Sequence, residues 1–418
     1  MLQTIVFIIA AAAAVSQAQT EMGKVASQMS ARTWRPVTTT GITGDLFKTG
    51  PVMDDIFAYS DDAKWDPVSR QILFLGCPHY APWRFPVYKE ETNAWRAEAL
   101  PTSSMIPGGD VYIDHAYDNN AVDASGNFYN FGAHGSMFRF NTAGNTWSTV
   151  SQGGSKPGVG FGMALEYFPE LGGLVHVFNG TVSLFNLNTN AWSTLKTGVA
   201  MGGYHNIAEY DPVHHVMILG GGNGSNAIHR LDAQGNLTAL KSPPVTLGIP
   251  TSVVTADPVT GKFLVMSGNV FYAFDAVSDA WELLNADIRT APGLSTFTNV
   301  PRVAASISTY GVVAYISNYI YAVLLYKYAA SSAVESRPAP AKSIGLEIYP
   351  NPAKLNSKVH FRLDNPASAV FFIYDARGQC VARMVQGVWE TADIAAGIYT
   401  VKALQGRRVF VRKLAVMD

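Results

Sequence analysis

Short apolar runs bounded by turn residues recur along the first three quarters of the chain. Gln71–Leu75, Asn127–Phe131, Gly173–Phe178, His215–Leu219 and Lys262–Met266 are β-rich, and each follows a turn signal, so each reads as the second strand of a unit. The turn signals are Trp65-Asp66-Pro67, Val122-Asp123-Ala124, Tyr167-Phe168-Pro169, Tyr210-Asp211-Pro212 and Ala256-Asp257-Pro258. Asp-Pro suits a hairpin because Pro presets φ while the Asp carboxylate can bond turn amides.

A second marker closes each unit. Asn93-Ala94-Trp95, Asn145-Thr146-Trp147 and Asn190-Ala191-Trp192 share one pattern, Asp279-Ala280-Trp281 is a close variant, and Gly235-Asn236-Leu237 is a degraded copy. The markers recur about every 45 residues, and one more step lands near Tyr326, which is the signature of a repeat architecture. Four strands per unit make a sheet that cannot bury both faces alone, whereas a ring of such sheets can. The last unit, Pro301 to Tyr328, holds only three strands. Thr33-Trp34-Arg35-Pro36-Val37 supplies a fourth, so the ring is expected to close by pairing the two ends of the repeat region. The tryptophans are expected to pack between units.

This repeat resembles kelch-type blades, the family that includes the central domain of galactose oxidase. The paired glycines of that family are clear only at Gly220-Gly221-Gly222. The resemblance implies an all-β propeller, and counting the units gives six blades: a six-bladed β-propeller is expected over residues 19–328. A Gly-rich phosphate loop is the rival reading of 220–224, but the Lys-Ser/Thr end and a following helix are missing.

Beyond Tyr328 the composition becomes that of a linker, residues 329–343. A smaller β-sandwich is expected over 344–418, where Leu346–Tyr349, Val359–Leu363, Val370–Tyr374 and Tyr399–Val401 alternate. Ile348-Tyr349-Pro350-Asn351-Pro352, Tyr374-Asp375-Ala376-Arg377-Gly378-Gln379, Ala396-Gly397-Ile398-Tyr399 and Arg412-Lys413-Leu414 occur in that order. Together they resemble a type IX secretion system type A sorting domain. The resemblance implies that the type IX secretion machinery is a partner and that the protein is secreted or attached to the outer-membrane surface. An immunoglobulin-like accessory module is the competing reading.

The chain opens on an apolar run, Ile5 to Val15, followed by Ser16 and Ala18 ahead of Gln19. Residues 1–18 read as a signal peptide without a positive residue before the run. The run is too short to span a bilayer comfortably, and no membrane span is expected in the mature chain. Composition agrees with a folded exported protein: 48% hydrophobic, 15% charged, net charge −1. With no basic field, nucleic acid is not an expected partner. The two cysteines, Cys77 and Cys380, fall in different expected domains and read as two small buried side chains rather than a disulfide.

Repeat phase sends the Asp-Pro turns to one face and the loops after each second strand to the other, around the channel mouth. That second face collects Asp61, Asp62, His115, Asp118, Asn119, His205, Asn206 and Arg302, with Tyr80 and Trp83 in a long aromatic loop. Asp61, Tyr80, Trp83, Asp118, His205, Asn206 and Arg302 form the candidate ligand site, with rings to stack on a sugar and polar groups to bond its hydroxyls. The function expected is a non-catalytic binding or adhesion module for glycan or protein. The alternative is a polysaccharide-active hydrolase or lyase using Asp61 or Asp62 opposite Asp118. No metal site or cofactor is expected. The histidines lack metal-ligand spacing, and a copper-radical site would need a Cys-crosslinked Tyr, for which Cys77 and Tyr80 are the only nearby pair.

Overall fold

A computed structural model describes residues 20–47, 56–57, 60, 62–76, 83–102, 105, 113, 116, 118–248, 252–292, 294, 303–317, 322–330, 346–349, 351–362, 369–375, 379–384, 388–392, 394–405 and 408–417. The proposed leader, residues 1–18, and most of the proposed linker lie outside them. Contacts divide the chain into two compact units, Met1–Ser331 and Ser332–Asp418.

The first unit is all-β apart from short helical segments and is built from antiparallel four-stranded meanders. The first has strands β2 Lys64–Asp66, β3 Gln71–Leu73, β4 Phe85–Lys89 and β5 Ala94–Glu98. The next comprises β6 Asp118–Val122, β7 Asn127–Phe131, β8 Met137–Asn141 and β9 Thr146–Thr149. A short strand, β10 Gly153–Gly154, then leads to β11 Ala164–Phe168, β12 Gly173–Phe178, β13 Thr181–Asn186 and β14 Ala191–Lys196. These two meanders are joined where β11 runs parallel to β6, Ala164 opposite Asp118. Two more follow: β15 Ile207–Asp211, β16 Val216–Gly220, β17 Ile228–Leu231, β18 Leu237–Ala239; then β19 Ser252–Ala256, β20 Phe263–Ser267, β21 Val270–Asp275, β22 Ala280–Asn285.

The last meander, β23 Val303–Ile307, β24 Val312–Ser317 and β25 Ala322–Lys327, takes its outer strand from the other end of the unit. There β1, Thr33–Val37, pairs antiparallel with β25. The first strands are successive neighbours, β2 with β6, then β11, β15, β19 and β23, and β23 returns to β2. Asp62 bridges Ala304 beside that last contact.

Each local feature has a chemical cause. The buried Asp66 carboxylate accepts from the Val68 and Ser69 amides and from Thr142 Oγ1 of the next meander. Asp211 holds the Val213 and His214 amides in the same way. A side chain at Gly126 or Gly261 would collide with these carboxylates, so turn glycines are what let one meander approach the next. The Asn-x-Trp asparagines Asn93, Asn145 and Asn190 turn the chain with positive φ, a conformation Asn tolerates. Trp147 then packs against Phe85, Phe128 and Phe140, spanning two meanders. The run after Gly220 passes directly into β17, so a phosphate-binding helix is not formed there.

The second unit has a sheet of β26 Glu347–Tyr349, β28 Lys358–Arg362 and β31 Val388–Glu390. Its other sheet joins β27 Ala353–Lys354, β33 Arg408–Met417, β32 Gly397–Gln405, β29 Ala369–Tyr374 and β30 Cys380–Met384. Leu346, Val359, Phe361, Phe371, Ile373, Trp389 and Leu414 form its core. Cys380 is exposed, which corrects the expectation of a buried thiol: it begins the hairpin strand β30, a strand with no buried position. Cys77 lies outside the described residues.

Candidate functional site

The circuit of first strands encloses an ionic cluster. Lys64 on β2 places Nζ 2.6 Å from Asp62, 3.6 Å from Glu209 on β15, and in direct contact with Glu166 on β11. All four side chains are buried. Asp118 on β6 joins them through a hydrogen bond with Asp62, and it also accepts from the Ala208 amide, 2.6 Å away. Glu166 also accepts from the Tyr167 amide and Glu209 from the Ala256 amide. Residues from four first strands are thereby fastened to one another.

One buried cation cannot balance four carboxylates, so protons make up part of the difference. Burial raises Asp62, against the pull of Lys64. Burial, opposed by Lys64 and reinforced by Asp62, lifts Glu166 to about 7, and the same influences with Glu166 lift Glu209 to about 8. Burial alone would depress Lys64, but the surrounding carboxylates hold it well above its ordinary value. Among the described residues no group of three or more His, Cys, Asp or Glu side chains could hold a metal ion. Here the Lys64 ammonium occupies the place between carboxylates that a cation would take.

The candidate ligand residues divide. Asp61, Tyr80 and Arg302 lie outside the described residues, as does His115. Trp83 is half-buried and packs beside the Leu73, Phe85 and Phe128 core. Asp118 belongs to the buried cluster. His205 and Asn206 are adjacent and buried. Asn206 Nδ2 donates to the Gly202 and Gly221 carbonyls, and its Oδ1 accepts from the Asn179 amide. His205 Nδ1 meets Asn223 Oδ1 at 2.7 Å. These two residues hold loops together, and the side chain they present outward is their neighbour Tyr204, which is exposed.

Sequence reasoning missed Lys64, Glu166 and Glu209. Their signal was present: each stands on a first strand two residues before the Asp or Phe of an Asp-Pro or Phe-Pro turn, the same phase in three units. A charged residue recurring at the same inward phase marks a shared interior.

In the second unit, Asn351 Nδ2 donates to the Lys413 carbonyl and its Oδ1 accepts from the Ala415 amide. The Pro-Asn-Pro motif thus clasps the last strand, where Arg412-Lys413-Leu414 lies. Asp375 closes the β29–β30 hairpin by accepting from the Gln379 amide, and Tyr399 Oη donates to the Ala395 carbonyl.

Residues 347–417 match the secretion system C-terminal sorting domain. The protein is therefore secreted or attached to the outer-membrane surface, and the sorting domain implies engagement with the type IX secretion system. A search of curated proteins finds no match. Among solved structures the chain is similar to a fungal alcohol oxidase of the AA5 family in complex with copper, at 10% identity, TM-score 0.44 and 85% coverage of each chain. It is also similar to a chain of the mitotic checkpoint complex, at 12% identity and TM-score 0.41, covering 70% of this chain and 97% of that one. At these TM-scores neither likeness carries an argument about activity. Among the described residues no helix is long and apolar enough to cross a membrane.

Proposed function

We propose that residues 19–328 form a six-bladed kelch-like propeller that acts outside the cell as a non-catalytic binding or adhesion module for glycan or protein. Residues 1–18 are its leader, 329–343 its linker, and 344–418 its export address. Six meanders whose first strands form a closed circuit, with β1 completing the last, support the propeller.

The observation that carries the non-catalytic reading is Asp118. It is the partner a glycosidic acid–base pair would need, yet it is 4% exposed and committed to Asp62 and the Ala208 amide. Carboxylates fixed on buried partners hold a scaffold together; they do not meet a polymer. A ligand then meets the loop face at the mouth; in this proposal Asp61, Tyr80, Trp83 and Arg302 serve it, while Asp118, His205 and Asn206 hold strands and loops in place through their buried bonds.

The test is to screen the mature full-length chain on a glycan array and measure reducing-end release from every hit. Binding without release is expected. Release that disappears in the Asp61→Asn/Asp118→Asn variant would establish the hydrolase instead.

A further inference from the structure

The most exposed aromatic side chains of the described mouth loops are Phe161 and Tyr204, 47% and 49% exposed. They come from different meanders, in the loops that lead into β11 and β15. Each stands one residue from a tight crossing: Gly162 passes so close to His205 that a Cβ on it would fall 2.4 Å from the His205 amide nitrogen, and Asn206 N–H donates to the Gly162 carbonyl. The crossing brings the backbones of the two loops together one residue from each exposed ring.

The face is rigid for identifiable reasons. Gly202 N–H donates to the Gly221 carbonyl, Asn223 N–H to Tyr204, and Gly222 N–H to Leu247. Tyr204 and His205 rings touch edge to face, 4.9 Å between centroids. His205 holds φ at 64°, a left-handed conformation a non-glycine residue keeps only where its surroundings impose it. Here Asn206 and Asn223 impose it. A preorganised aromatic pair loses little freedom on binding.

Charge selects the ligand class. The loops 132–136, 157–163, 179–180, 197–206 and 221–227 contain no Asp, Glu, Lys or Arg; Lys156 and Lys196, both exposed, directly precede two of them in sequence. Their polar groups are instead the exposed Asn179, Asn223 and His134. Flat apolar rings beside neutral hydrogen-bonding groups match a sugar, which offers C–H patches and hydroxyls and no charge.

We propose that this face, spanning the meanders of β6–β9, β11–β14 and β15–β18, binds an uncharged glycan, with Phe161 and Tyr204 as stacking platforms and Asn179 and Asn223 bonding its hydroxyls. The proposal rests on the reading of the protein as a binding module and gives it a location and a ligand class.

The experiment is titration of the mature full-length chain, Phe161→Ala, Tyr204→Ala and Tyr204→Phe with xyloglucan, galactomannan and high-mannose oligosaccharide. Alginate, heparin and immobilised gelatin serve as acidic and protein probes. Binding of at least one neutral probe is expected, weakened roughly tenfold by each Ala change and nearly retained in Tyr204→Phe, with unchanged melting. Equal binding by both Ala variants would move the site elsewhere and leave the binding module standing. Binding confined to the acidic probes or to gelatin would overturn the neutral-glycan assignment, as would concentration-dependent self-association abolished by the Ala changes, which would make a second copy the occupant. Release of reducing ends from a bound probe would overturn the non-catalytic reading itself.

Discussion

Trp34 on β1 stands directly opposite Tyr326 on β25, with ring centroids 4.5 Å apart. The same indole touches Tyr315 on β24 of its own sheet and Phe271 on β21 of the neighbouring meander, so one side chain from near the start of the chain completes a sheet and seals it to the next. Trp34→Ala should destabilise the unit by about 3–5 kcal/mol. Deleting residues 19–40 should do more, since β25 would lose its partner along five register positions. Chemical denaturation of both variants checks this, and an unchanged midpoint would mean that β1 does not fasten the unit.

Glu209 should make the protein less stable at alkaline pH. Its pKa is raised to about 8 by burial from an unfolded value near 4.5, so the folded state binds the extra proton. Its contribution is complete below about 4.5 and is lost as pH rises through about 8. Melting temperature should fall between pH 5 and 9, and Glu209→Gln should flatten that fall by an amount on the order of 1–3 kcal/mol. Lys64→Met, which strands the carboxylates without their cation, should destabilise by about 3–5 kcal/mol at neutral pH.

His176 should act at the other end of the pH scale. It is fully buried against Phe131 and Trp192, and burial pushes its pKa down to about 3. Neither ring nitrogen meets a hydrogen-bond partner among the described residues. The unfolded chain takes up a proton near pH 6.5 that the folded one refuses, so stability is full above that pH and declines as pH falls toward 3. His176→Phe should raise stability by about 1–3 kcal/mol and reduce acid sensitivity, because it removes two unsatisfied buried polar atoms. Equal acid sensitivity in the two proteins would place the effect elsewhere.

Deletion of residues 344–418 should leave the protein in the periplasm, detectable by fractionation. Asn351→Ala removes both ties to β33 and should lower surface delivery while the first unit keeps its melting temperature. Full surface delivery by the truncated chain would show that another segment carries the address.

The repeat of Asp-Pro turns and Asn-x-Trp strands was legible because both are local: a turn needs particular residues at particular offsets, and a strand needs alternation. The same locality made the sorting motifs readable. Even the pairing of β1 with β25 followed from counting strands, since an outer strand was missing at one end and Trp34 was available at the other.

What folding alone decided is where side chains from distant units meet. Asp118 and His205 share a loop phase, but one is drawn inward to Asp62 and the Ala208 amide and the other clamps Asn223, so neither faces outward as phase alone suggests. Lys64, Glu166 and Glu209 lie about 40 to 145 residues apart in sequence and become neighbours only when their strands share one interior. Burial there, not residue type, sets which carboxylates keep their protons, and burial is a property of the assembled sheets that no local pattern contains.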